Sequence, residues 1–369
     1  MGAGIVCRSL NMKLGFFTMP IHPIGKDWRQ TLREDREAFI LADQLGYCEA
    51  YTGEHSTDLA ENITSCTMFL SSLVGQVKRM NLGTGTVNMP NTHPARVAAE
   101  LAMLDHMLDG RFIMGISPGG LLSDAEIFGN LGKNRNEMFL ESINAVLQLW
   151  TSEPPYNIEG KYWNISTAQT LMKEIGQGFI PKPLQRPHPP IAVTAVAPFS
   201  KGVTEAAARG WEMISANFLM PEWVKTHWPN YVQGCERIGK VADPAQWRVA
   251  KSIFVADTDQ QARDYVMHPD SPYRFYYRSL FTKLKKNGRI ELFKNRIDQP
   301  DDEVTEESVF NQLVFWGSPE RVADQILAFK AQVGEFGTLL YAGKDWMDAD
   351  AGKKSMRLMA EKVMPRIGA

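Results

Sequence analysis

Cysteine is scarce and scattered. Cys7, Cys48, Cys66 and Cys235 are the only four in 369 residues, and no two form a Cys-x-x-Cys pair. That excludes a disulfide framework and fits a reducing, cytoplasmic compartment. No apolar run reaches roughly 18 residues, so nothing in the sequence reads as a membrane span. Charge of one sign is also missing: 40 Lys and Arg face 42 Asp and Glu, a net charge of −2. There is no electrostatic case for nucleic acid or an anionic membrane as partner. His-x-His, His-Glu-x-x-His and Cys/His spacings are absent, so no metal is expected. So are a Gly-x-Ser-x-Gly elbow and a Walker loop. The first eleven residues, MGAGIVCRSLN, are too short for a secretory signal and are expected to be a disordered extension.

What is present is ordinary for a globular enzyme, with 44% hydrophobic and 22% charged residues. The clearest unit runs from Asn81 to Gly120. Asn81–Met89 reads as a strand, Pro94–Leu108 as a helix and Arg111–Ser117 as the next strand. Pro94 suits a first helical turn, where a missing N–H costs little. Val97, Ala98, Leu101, Leu104 and Leu108 give the helix an apolar face, on which Asp105 intrudes. A βαβ unit implies a parallel sheet buried on both faces. Both strands carry small residues near their carboxyl ends, where parallel α/β folds hold their chemistry.

The same alternation runs along the chain from Lys13. Eight strands are expected, near residues 15, 49, 84, 113, 193, 213, 252 and 340, each followed by a helix. Strand one ends in Met19-Pro20-Ile21-His22, which is no Gly-x-Gly-x-x-Gly turn, so an open dinucleotide-binding sheet is disfavoured. Eight such units point to an α/β fold, a TIM-like (β/α)8 barrel occupying 12–369 as one domain. Two stretches interrupt it. Residues 151–190 hold seven prolines, and residues 268–305 mix basic and aromatic side chains.

Several residues are placed for chemistry. His55 lies just past strand two and has a side chain that exchanges protons near neutral pH; a loop histidine bound to backbone is the competing reading. His93 precedes Pro94 and suits a structural turn. Ser200 opens a helix, where an anion such as a phosphate is welcome; a plain helix cap is the alternative. Arg135 begins another helix and either adds a bond to that anion or faces solvent. One of Phe16 and Phe17 points into a barrel and the other toward its helices. The segment 274–289 is either a lid or a solvated amphipathic helix, and its length outside regular units favours a lid.

Taken together, these pieces resemble the bacterial luciferase-like, flavin-dependent monooxygenases over almost the whole length from Met12. Glu54-His55 resembles that family's EH motif. Gly83-Thr84-Gly85-Thr86 through Pro90, then Thr92-His93-Pro94, is similar to its GTA…LP-x-x-HP stretch. Leu104-Asp105 with Gly110-Arg111-Phe112 and Gly115 resembles its LD…GRF-x-x-G, and Gly317-Ser318-Pro319-Glu320 is a typical turn near its end. The resemblance implies reduced FMN from a separate flavin reductase, reacting with O2 to a C4a-(hydro)peroxyflavin that passes one oxygen atom to substrate. FAD and the deazaflavin F420 are the less favoured cofactors. It implies His55 as the catalytic histidine, and Gly85, Thr86, Ser117, Arg135, Val196 and Ser200 as cofactor contacts. A non-proline cis peptide is frequent in the family at Gly85–Thr86. Phe17 resembles a pocket aromatic, and the basic insertion a mobile loop that excludes water.

The sequence also departs from the luciferase catalytic subunit. An arginine after Ser117 is replaced by Pro118, and a second histidine after the EH pair by Ser56, so light emission is not expected. The branch that is most similar oxidises terpenoids and cyclic ketones, which implies a small apolar substrate. Two other functions compete: an F420-dependent dehydrogenase or reductase on the same fold, and a noncatalytic flavin-binding subunit. A homodimer through helices 64–76 and 94–108 is the implied assembly.

Overall fold

The structure, a computed structural model, describes residues 11–18 and 21–368. The first ten residues, assigned above to a disordered extension, lie outside these, as do Met19 and Pro20 at the expected end of strand one. The chain order is β1 (Lys13–Thr18), α1 (Trp28–Gln44), β2 (Glu49–Thr52), α2 (Cys66–Ser71), β3 (Asn81–Thr84), β4 (Val87–Asn88), α3 (Pro94–Met107), β5 (Phe112–Ser117), α4 (Leu122–Ile127) and α5 (Arg135–Thr151). A hairpin of β6 (Asn157–Glu159) and β7 (Asn164–Ser166) follows. Next come β8 (Ile191–Ala195), α6 (Lys201–Ala207), β9 (Glu212–Ser215), α7 (Pro221–Val224), α8 (His227–Glu236), β10 (Trp247–Val255), α9 (Asp259–Val266) and α10 (Pro272–Lys286). The chain then continues through α11 (Glu306–Leu313), β11 (Val314–Gly317), α12 (Pro319–Val333), β12 (Thr338–Gly343), α13 (Ala349–Leu358) and α14 (Met364–Arg366). This is the strand–helix order of a TIM-like (β/α)8 barrel, the class expected from the alternation.

Two compact units share the chain. Among the described residues, one comprises those within Phe17–Thr194 with Gly343–Asp345, the other the rest. In the first, β2, β3, β5 and β8 pair in parallel, with Ala50 opposite Leu82, Leu82 opposite Phe112 and Met114 opposite Ile191. The strand expected over 81–89 is two short ones. Gly85–Thr86, whose peptide bond is cis, separates β3 from β4, and β4 resumes pairing with β5 at Val87 opposite Ile116. Gly115 is obligatory here, because a Cβ on it would lie 1.8 Å from the Thr84 carbonyl oxygen. His93 takes the structural role: its ring caps α3 by accepting from the Ala95 N–H at 3.3 Å. Asp105, the polar residue on the apolar face of α3, is buried. It accepts from the backbone and side-chain N–H groups of Gln185 at 2.8 and 2.7 Å. The proline-rich stretch 151–190 contains the β6–β7 hairpin, whose turn is held by Glu141, which accepts from the N–H groups of Lys161, Tyr162 and Trp163.

In the other unit β10 is the central strand. Its first half pairs with β9 and β12, Arg248 facing Ile214 and Thr338, and its second half pairs with β11 from Ser252 to Val255. Periodicity missed β11, since four residues running into Gly317 are too short to show alternation. The expected lid over 274–289 is mostly the regular helix α10. Ser271 caps it and Pro272 opens it. Its tyrosines are fixed to β10 and to the loop after β9: Tyr273 Oη donates to the Ile253 carbonyl at 2.6 Å, Tyr276 Oη to Asn217 Oδ1 at 3.0 Å and Tyr277 Oη to Ser252 Oγ at 3.0 Å. Burial of those hydroxyls with partners is why the segment is ordered as an amphipathic helix.

Candidate active site

The carboxyl ends of β2, β4 and β5 converge on one polar cluster. Glu54, just past β2, is its hub. One carboxylate oxygen accepts from the Asn88 backbone N–H at 3.0 Å, the other from the Cys66 N–H and thiol, both at 3.0 Å. The Glu54 carbonyl accepts from Asn88 Nδ2 at 3.1 Å. Asn88 Oδ1 accepts from Ser117 Oγ at 3.1 Å, and Ser117 Oγ accepts from Thr86 Oγ1 at 2.6 Å. Burial beside the Glu54 carboxylate pushes the Cys66 thiol well up, so it stays protonated and acts as a donor.

Five of the expected site residues belong to this neighbourhood. Thr86 and Ser117 touch directly. Gly85 is backed by Phe17, whose ring edge is 3.0 Å from where a Gly85 Cβ would stand, and by Tyr51. Of the adjacent pair, Phe16 stacks instead on Tyr341 at 6.3 Å. Arg135 donates from Nη1 to the Gly119 carbonyl at 2.9 Å, which ties the start of α5 to the loop after Ser117. In that loop Gly120 borders open space, since a Cβ on it would meet nothing within 4 Å.

His55 is half-buried and held by two carboxylates. Nδ1 lies 3.0 Å from Asp124 Oδ2 and Nε2 3.2 Å from Glu61 Oε2. Its backbone N–H donates to the Ile63 carbonyl at 3.0 Å. Asp124 Oδ1 accepts from the Ser56 and Thr57 N–H groups and from the Thr57 hydroxyl. Burial resists its ionisation, but the bonds from His55 and Thr57 outweigh that and hold the carboxyl below its usual range. Asp124 sits on the short helix α4. Six residues are too few for periodicity to reveal, so neither the helix nor the histidine's partner was legible. Glu61 and Asn88 were missed too, because nothing in their spacing marks them. Glu54 was read only as half of a motif.

A second histidine lies in the same unit. His22 Nδ1 is 2.5 Å from Asp345 Oδ1 and Nε2 is 3.1 Å from Asp35 Oδ2. Glu34 is close by, and Lys26 Nζ bonds both Glu34 and Asp345 at 2.5 and 2.7 Å, the place a cation would take. His22 and His55 are fastened to one loop, the His22 N–H donating to the Ala60 carbonyl at 2.7 Å.

Val196 and Ser200 belong to the other unit. Val196 is exposed. Ser200 is half-buried and precedes α6, but its hydroxyl makes no capping bond. The loop before it is held from α8: His227 Nε2 bonds the Ala197 carbonyl at 2.9 Å, Thr226 Oγ1 accepts from the Phe199 N–H at 2.9 Å and Asn230 Nδ2 donates to the Ser200 carbonyl at 3.0 Å. Burial pushes the His227 pKa down to about 4, so this imidazole is a neutral strut.

Known proteins share this plan. The luciferase-like monooxygenase family matches residues 12–335. A 4-hydroxyprotoasukamycin monooxygenase of Streptomyces nodosus subsp. asukaensis is 30% identical over 363 residues, 96% of this chain and 92% of that protein. A limonene 1,2-monooxygenase of Rhodococcus erythropolis is 26% identical over 357 residues, 95% of this chain and 85% of that protein. Among solved structures, the oxygenating constituent of 3,6-diketocamphane monooxygenase from Pseudomonas putida is a type II Baeyer–Villiger monooxygenase in complex with FMN. It superposes with a TM-score of 0.87 at 26% identity, covering 97% of this chain and 99% of that one. The chain belongs to the luciferase-like monooxygenase family.

Proposed function

We propose that this oxidoreductase is the oxygenase component of a two-component system. It takes reduced FMN from a separate flavin reductase and, with O2, inserts one oxygen atom into a small apolar organic substrate, a terpenoid or cyclic ketone. The oxygen is passed on through a C4a-(hydro)peroxyflavin. The observation that carries this reading is the neutral polar cluster Thr86–Ser117–Asn88 beside the open backbone at Gly120. A flat isoalloxazine needs backbone without side chains to lie on and hydrogen-bonding groups at its edge. Gly85, Thr86, Ser117 and the glycines after it offer both. The bound cofactor supplies electrons and the site of oxygen activation; the protein supplies position, proton control and exclusion of water.

Within that reading, His55 is the acid–base group. Asp124 holds Nδ1 and fixes the ring, so proton exchange with the reacting site runs through Nε2 and Glu61. Arg135 is proposed as a contact to the cofactor phosphate and Phe17 as backing for the pocket; in the other unit Ser200 is proposed as a phosphate contact and Val196 as a cofactor contact. Residues 12–369 act as one barrel domain. A second copy docks through the faces of α2 and α3 that leave Met68 and Met103 exposed, at 75% and 56%. Among the described residues no helix is long and apolar enough to cross a membrane, and a cytoplasmic setting completes the proposal.

The deciding experiment supplies the protein with FMN, a flavin reductase, NADH and labelled 18O2, with terpenoids and cyclic ketones as candidate substrates. One labelled oxygen atom in the product supports the reading. Substrate oxidation without label, driven by F420 and independent of oxygen, replaces it by the dehydrogenase alternative.

A further inference from the structure

The cluster beside the cis peptide has a fixed direction of protons. A carbonyl cannot donate, so the Asn88 amide must turn its nitrogen to the Glu54 carbonyl, at 3.1 Å. Its Oδ1 therefore faces Ser117 Oγ, at 3.1 Å, and can only accept. The single Ser117 proton is spent there. The Ser117 oxygen receives the Gly119 N–H at 3.1 Å and, at 2.6 Å, the Thr86 hydroxyl, which must be the donor. Once Thr86 has given its proton to Ser117, Oγ1 has only lone pairs to offer. The order does not rest on rotors chosen freely. It propagates from one backbone oxygen, and the Asn88 backbone is itself pinned by its N–H to the Glu54 carboxylate at 3.0 Å.

We infer that Thr86 Oγ1 is an obligate hydrogen-bond acceptor for the cofactor's N5–H and the residue by which the site distinguishes reduced from oxidised flavin, with Asn88 and Ser117 as positioning residues. This rests on the proposal that an isoalloxazine lies against Gly85–Thr86 and Ser117. Reduced flavin carries a proton on N5 and satisfies the acceptor. Oxidised flavin presents a bare N5, so two acceptors face each other and neither is paired. A 5-deazaflavin has carbon at this place and no N–H in either state, so the device is useful only to a true flavin.

The test is anaerobic binding of oxidised and dithionite-reduced FMN to the whole chain, for the wild type, Thr86→Val, Thr86→Ser and Ser117→Ala. Wild type is expected to prefer reduced FMN at least tenfold, which raises the bound two-electron potential by about 30 mV per tenfold. Thr86→Val should cut the preference about tenfold and Thr86→Ser should restore it. Ser117→Ala releases the Thr86 proton for donation to oxidised N5 and should also lower the preference, a check that holds if Thr86→Val does not fold. With 5-deaza-FMN the wild type should show no greater preference than Thr86→Val shows with FMN. Preferences that stay unchanged in Thr86→Val and Ser117→Ala overturn the inference while leaving a flavin site intact. Failure of either FMN form to bind, with F420 binding instead, removes the flavin reading beneath it.

Discussion

Asp124 Oδ2 lies 3.0 Å from His55 Nδ1, while Oδ1 gathers two backbone N–H groups and a hydroxyl from residues 56 and 57. One carboxylate thus orients the candidate acid–base group and ties down the loop that carries it. Its pKa is depressed on folding. It therefore stabilises the fold at pH values above its unfolded value, and that contribution is lost as pH falls through the folded value. Asp124→Asn should cost about 1–3 kcal/mol at pH 7. The gap to wild type should narrow below about pH 4. Urea unfolding at both pH values checks this; a gap constant across the range contradicts the charged bond.

Replacing the imidazole separates chemistry from binding. His55→Ala should lower product yield by about 10²–10⁴-fold, the usual worth of general acid–base catalysis, and leave the affinity for reduced FMN unchanged. Single-turnover product analysis beside an anaerobic FMN titration measures both. Full yield removes His55 from the mechanism, and lost FMN affinity makes it structural.

His22 gives the opposite pH dependence. Burial disfavours its charge, but Asp345 and Asp35 more than compensate and its pKa is raised to about 9. Because the folded value lies above the unfolded 6.5, its contribution is complete below about pH 6.5 and is lost as pH rises through 9. The difference is worth about 3 kcal/mol. Melting temperatures from pH 6 to 10 should fall through this window in wild type and stay flatter in His22→Gln. Parallel curves would show that His22 is not the group responsible.

The architecture was legible because long periodic segments carry their own signal. The helix expected over Pro94–Leu108 is α3 to within a residue, opened by Pro94. Short elements failed: α4 and β11 lack a full period. Candidate site residues were legible where they sit next to a motif, as Thr86, Ser117 and His55 do. Their partners were not. Asp124 is 69 residues from His55 and Asn88 is 34 from Glu54, so only the folded sheet brings them together. The lid reading failed because a string of aromatic and basic residues does not reveal that Tyr273, Tyr276 and Tyr277 reach partners inside the core.

Ser200→Ala tests the phosphate assignment by itself. The hydroxyl is not used in capping, so little stability should change. FMN binding should weaken about tenfold, the worth of one charge-assisted bond, and riboflavin binding hardly at all. Equal losses for the two ligands, or none for either, contradict a phosphate contact.

The central claim is that this chain uses reduced flavin to activate oxygen. The most direct measurement is stopped-flow absorbance, mixing the protein and anaerobically reduced FMN with oxygenated buffer. The account predicts a transient in the blue-violet band of a flavin–oxygen adduct, formed faster than oxidised flavin appears and shortened by a productive substrate. Reoxidation of the flavin at the rate seen without protein, with no transient, would contradict it.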